Sequence, residues 1–84
     1  MRVCVLGSGS SGNCTFVERG LTRIIIDAGL RAKEIVERLG RIGVDPSSLN
    51  GIFISHEHHD HIQGAGPLSR KFKIPVFISP RALE

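Results

Sequence analysis

Cysteine is scarce in this 84-residue sequence: there are two, Cys4 and Cys14. Two cannot build a disulfide framework. Long apolar runs are missing as well. The stretch nearest the N-terminus, residues 3–6, falls far short of the roughly 7–15 apolar residues at the centre of a secretion signal. No run approaches the roughly 18 residues of a membrane span. The expectation is a cytoplasmic chain without membrane contact, in a compartment that keeps both thiols reduced. Repeats, linkers and low-complexity tracts are absent too. With 40% hydrophobic and 23% charged residues, collagen-like, coiled-coil and disulfide-scaffold classes are excluded. The length allows one domain, residues 1–84, with one modest core.

Charge is mild. Eleven Lys and Arg against eight Asp and Glu give +3. That permits a phosphate-bearing partner without demanding one, because the charge is spread along the chain. The densest basic stretch, Arg70, Lys71 and Lys73, reads as a solvated helix end.

Periodicity and punctuation give the elements. Residues 2–6 read as a strand ended by Gly7, and residues 8–13 as a Gly/Ser/Asn loop. Residues 14–18 form a second strand, with a turn at Arg19-Gly20. Residues 22–27 form a third; its Ile24-Ile25-Ile26 run suggests burial on both faces. Residues 31–42 carry Ala32, Ile35, Val36, Leu39 and Ile42 at helical spacing. Gly43 is a plausible stop. Gly40 costs about 1 kcal/mol relative to Ala, so the last turn is expected to fray. Asp45-Pro46 makes a turn. Residues 51–55 are a fourth strand, Pro67 opens a helix to about Phe72, and residues 75–79 are a fifth strand. Pro80 opens another helix. The order β-β-β-α-β-α-β belongs to a layered α/β architecture.

Histidine is confined to one place. All four histidines lie between His56 and His61, in Ser55-His56-Glu57-His58-His59-Asp60-His61. Imidazole and carboxylate suit zinc and similar transition metals. His56 and His58 are two apart, so on extended chain leaving a strand both point to one side. The same alternation turns Glu57 and His59 away. Asp60 and His61 follow on a turn and can swing back. Such a segment can hold two metals, or one metal with a second site beside it. Paired metals polarise a phosphoryl or carbonyl oxygen and activate water at neutral pH.

The pattern His56-x-His58-x-Asp60-His61 resembles the signature of the metallo-β-lactamase superfamily. The resemblance implies that His56 and His58 serve a first metal and that Asp60 and His61 serve a second. It also implies that Asp60 is catalytic, orienting the attacking water. Asp27, in Ile26-Asp27-Ala28-Gly29, matches a superfamily aspartate that supports the site from behind its ligands, and a carboxylate that orients ligating imidazoles is physically sensible. Within the superfamily, Gly7-Ser8-Gly9-Ser10-Ser11-Gly12-Asn13-Cys14 resembles the opening of the YycJ-like (WalJ-like) subgroup, which is associated with DNA exonuclease activity. The resemblance implies the N-terminal part of a four-layer αββα sandwich. It also implies two divalent transition-metal ions, zinc or manganese or iron, and DNA or another phosphodiester as substrate. The later ligands of that family have no counterpart here, since no histidine lies outside residues 56–61. The chain alone is therefore expected to be inactive and poorly stable or partner-dependent. Hydrolysis of a small cyclic phosphodiester or another ester, and a non-catalytic metal-binding fragment, remain the alternatives.

Gly7-x-Gly9-x-x-Gly12 also matches a dinucleotide-binding fingerprint, with Asp27 at about the ribose-binding distance. That fingerprint needs a helix directly after the glycines. Thr15-Phe16-Val17 instead predicts a strand, so no nicotinamide cofactor is expected. Ser8, Ser10, Ser11 and Asn13 are left either as substrate contacts on the rim of the site or as an ordinary polar turn.

Overall fold

Alternation of side chains organises the sheet. The computed structural model describes residues 1–8, 13–55 and 64–78. Five strands, β1 (Arg2–Gly7), β2 (Cys14–Arg19), β3 (Thr22–Ile26), β4 (Gly51–Ile54) and β5 (Val76–Ile78), are interleaved with helices α1 (Ala32–Arg41) and α2 (Ala65–Phe72). The strands lie side by side in chain order as one sheet. β1, β2 and β3 pair antiparallel, and the two-residue Gly20-Leu21 connection, with Gly20 at φ +60°, lets Arg19 face Thr22. β3, β4 and β5 pair parallel. Parallel neighbours need a crossover, and α1 and α2 supply the two crossovers. The predicted layered α/β fold is present as a single sheet with its helices.

Both helices cover one face. Phe16, Ile25 and Ile52 stand opposite one another in register, and each is fully buried. Ile35 and Leu39 of α1 and Leu68 of α2 close over them. Burying one such side chain contributes about 1.5–3 kcal/mol. The polar row Arg2, Glu18 and Arg23 continues the same face at its far end.

The other face carries Val5, Thr15, Ile26, Phe53 and Phe77 in one register row. Val5 is 65% exposed, Phe53 40% and Phe77 48%. The rings of Phe53 and Phe77 stack at 4.9 Å, lying over Gly51, whose missing Cβ would come within 3.0 Å of the Phe77 ring. Burial of Ile24–Ile26 on both faces is thus corrected to one face. Ile25 is fully buried under the helices, while Ile24 and Ile26 are only half-buried on the open side.

Local chemistry sets the element ends. α1 runs through Gly40 to Arg41. Gly43, at φ +74°, turns the chain left-handed. Its N–H donates to Gly40 O at 3.1 Å, and Val44 N–H reaches Leu39 O at 2.9 Å. This is a Schellman ending, with buried Val44 and Leu39 as its apolar pair. Asp45 caps the short 3₁₀ turn Pro46–Ser48 by accepting from Ser47 N–H. α2 begins at Ala65, two residues before the predicted start. Pro67 sits in its first turn, where the N–H would have no helical partner. The expected helix after Pro80 lies outside the described residues.

Candidate metal centre

β1, β3, β4 and β5 point the same way, because two antiparallel steps separate β1 from β3. Their C-terminal ends therefore share one edge with the start of β2. Open α/β sheets bind ligands beyond the C-terminal ends of their strands. Three connections meet at this edge: the Gly/Ser loop before β2, the turn after β3, and the segment from β4 to α2.

The turn after β3 holds the other two. Asp27 follows β3 with φ +60°, a left-handed conformation that Asp tolerates better than most residues. It was expected as the last strand residue and instead turns the chain off the sheet. Its N–H still donates to Phe53 O at 2.7 Å, extending the β3–β4 ladder by one bond. Its buried carboxylate reaches across to β4. Ser55 N–H donates to Oδ1 at 2.8 Å and the Ser55 hydroxyl to Oδ2 at 2.7 Å. Ala28 O then accepts from Gly64 N–H at 2.7 Å, and Gly29 N–H donates to Asn13 O at 2.8 Å. Leu30 packs beneath. A Cβ on Gly7 would lie 2.9 Å from Leu30 Cδ1, and one on Gly64 only 2.3 Å from Leu30 O.

The proposed ligands His56, His58, Asp60 and His61 lie outside the described residues, as do Ser10 and Ser11. Their flanks do not. Ser55 precedes the ligand segment directly and is gripped by Asp27, the residue predicted to support it. Ser8, exposed at the end of β1, and half-buried Asn13 lie at the same edge. Among the described residues no three His, Cys, Asp or Glu side chains converge on a metal-sized site. The residues that sequence reasoning missed are Ser55 and Gly64. A serine between an apolar strand and the first histidine was a readable signal for Ser55; for Gly64 there was none.

Cys14 was open to either a reactive or an inert reading. It is fully buried. Desolvation pushes its thiol up to about 12, with the Asp27 charge adding to the rise and Arg38 opposing it. It stays protonated at neutral pH, which is the inert reading of a buried thiol. Directly after the glycine loop the chain enters β2 rather than a helix, so the dinucleotide fingerprint lacks its structural context. A groove of about 310 Å³ is lined by Phe53, Ile54, Ser55, Phe77 and Ile78.

A left-handed aspartate just after β3 is thus clamped to Ser55, the residue that follows β4 and precedes the His-x-His-x-Asp-His segment. Residues 7–84 match the metallo-β-lactamase superfamily, and the chain belongs to that superfamily. It is similar to the exodeoxyribonuclease WalJ of Streptococcus pneumoniae serotype 2 (strain D39 / NCTC 7466), 40% identical over 95% of this chain and 30% of that protein. It is also similar to the exodeoxyribonuclease YycJ of Bacillus anthracis, 36% identical over 92% of this chain and 29% of that protein. The fold matches a solved B3 metallo-β-lactamase with an active-site glutamic acid, at a TM-score of 0.83 and 24% identity, over 95% of this chain and 30% of that one. The chain thus spans about 30% of the length of these relatives. Among the described residues no helix is long and apolar enough to cross a membrane.

Proposed function

We propose that this chain forms the N-terminal part of a metal-dependent phosphodiesterase, a DNA exonuclease with a dinuclear centre. The observation that carries the reading is the Asp27–Ser55 clamp, which ties the supporting carboxylate to the residue before His56. The relatives named exodeoxyribonuclease support the choice of DNA.

His56 and His58 would hold one ion, and Asp60 and His61 the other. These imidazole and carboxylate donors, with Cys14 buried and protonated, fit zinc, manganese or iron. When bound, such ions polarise a phosphoryl oxygen and activate water. Asp60 orients the attacking water. Asp27 holds the start of the ligand segment through Ser55. Ser8, Ser10, Ser11 and Asn13 form a polar rim for the substrate backbone. The open sheet face is where the rest of the sandwich would pack, which makes this chain alone inactive. A cytoplasmic location goes with this reading, since Cys4 and Cys14 are free thiols.

Metal analysis and a nuclease assay test this. A chain extended to the length of its relatives should bind divalent metal and degrade DNA from an end. Chelation or Asp60→Asn should remove that activity, while the 84-residue chain should bind metal without cleaving. An extended chain that cleaves cyclic phosphodiesters and leaves DNA intact would sink the exonuclease reading. Protein that takes up no zinc, manganese or iron would sink the centre itself.

A further inference from the structure

Resting on the metal reading above, we propose that Ser55 and Gly64 are positioning residues that hold both feet of the ligand segment on one turn. Ser55 is the last described residue before residues 56–63 and Gly64 the first after them. Ser55 is held by the carboxylate of Asp27 through its amide and its hydroxyl, at 2.8 and 2.7 Å. Gly64 is held by the carbonyl of Ala28 at 2.7 Å. Asp27 and Ala28 are neighbours, and neighbouring Cα atoms lie about 3.8 Å apart. Ser55 and Gly64, the residues that flank the segment, are therefore held by adjacent residues of the same turn.

The two feet are held by different means. At Ser55 the hold is polar, and a hydroxyl is required to reach the second carboxylate oxygen. At Gly64 it is steric. A Cβ there would meet Leu30 O at 2.3 Å and Ile35 Cδ1 at 2.7 Å. The first contact is backbone, which cannot swing aside as a side-chain end can. Glycine is what lets the start of α2 (Gly64 is its N-cap) press against the start of α1. Fixing both ends restricts the arrangements open to the ligands before any ion arrives. Partners that orient ligands in this way change metal affinity by about 10–100-fold when lost.

The test uses Ser55→Ala, Ser55→Thr and Gly64→Ala in the full-length protein carrying this chain. Zinc affinity is read by competition with a chromophoric chelator. Amide exchange at Ser55 and Gly64 is read on metal-free protein, and the urea midpoint reports the fold. Ser55→Ala should weaken zinc binding by about tenfold or more and speed exchange at Ser55, with little change in midpoint. Ser55→Thr, which keeps the hydroxyl, should restore both readings. Gly64→Ala should weaken zinc at least as much; if it fails to fold, the Ser55 pair still decides. Unchanged zinc affinity in Ser55→Ala, or no recovery in Ser55→Thr, would overturn the proposal. If the unaltered protein binds no zinc, manganese or iron, the metal reading fails instead. Exchange then decides the clamp alone: it stands if Ser55→Ala loses protection at Ser55 and falls if it does not.

Discussion

On one side of the sheet Phe16, Ile25 and Ile52 stand in register and are sealed. On the other, Val5, Ile26, Phe53 and Phe77 stand in register and stay partly or largely open. Residue type does not separate the two rows; both are aromatic and β-branched. What separates them is the chain that crosses over. Both crossovers bring their helices to the same side, as right-handed connections between parallel strands tend to do. An apolar row left this open is a candidate contact surface.

Exchanging phenylalanine for alanine on each face gives the sharpest contrast. Phe16→Ala should cost about 3–5 kcal/mol, since it opens a cavity under both helices. In a chain of this size that is enough to abolish the cooperative urea transition followed by circular dichroism. Phe53→Ala should cost about 1 kcal/mol, chiefly the stacked contact with Phe77. In a chain extended to the length of its relatives the same change should approach the Phe16 value. Equal costs in the short chain would break the comparison. A smaller effect on stability is expected from Val5→Lys, within about 0.5 kcal/mol. It should nonetheless reduce dye binding and self-association measured by sedimentation, because it interrupts the bare row.

The smallest effect lies at the polar end of the covered face. Arg23 donates to Glu18 at 2.6 Å, and Arg2 Nε lies 3.2 Å from the other carboxylate oxygen as an ion pair without hydrogen-bond alignment. The Arg23 hydrogen bond, helped by the charges of Arg2 and Arg23, holds Glu18 below the ordinary 4.5. A carboxylate lowered in the folded state stabilises above its unfolded value and loses that contribution as pH falls through its folded one. The contribution is therefore whole above about pH 4.5 and fades below it. Glu18→Gln should flatten the acid side of the urea-midpoint profile slightly, given how little ion pairs near the surface contribute.

Much of this was legible in the sequence. Gly20, Gly43 and Asp45-Pro46 marked turns because their backbone or side chain permits little else. The helical spacing of Ile35 and Leu39 placed α1. The faces of β3 were not legible, because three consecutive isoleucines carry no alternation. Nor was the early start of α2, where Gly64-Ala65-Gly66 offers no helix signal and packing against Leu30 and Ile35 decides. Asp27 was found through the resemblance, while its grip on Ser55 spans 28 positions and has no local trace. Gly64 matters through what its absent side chain would strike, and only coordinates reveal that.

The mixed pairing of the sheet also predicts an order of folding. β1, β2 and β3 join through short connections, and hairpins of this kind close within about 1–10 μs. β4 and β5 must wait for whole crossover helices, and such long-range closure is slower. β3 belongs to both halves, so the early meander presents the template on which β4 docks. The sheet edge next to Ser55 is then expected to be completed last, after the scaffold beside it. Kinetic measurements should register the milder Phe16→Leu mainly in the folding rate and changes in β5 mainly in the unfolding rate.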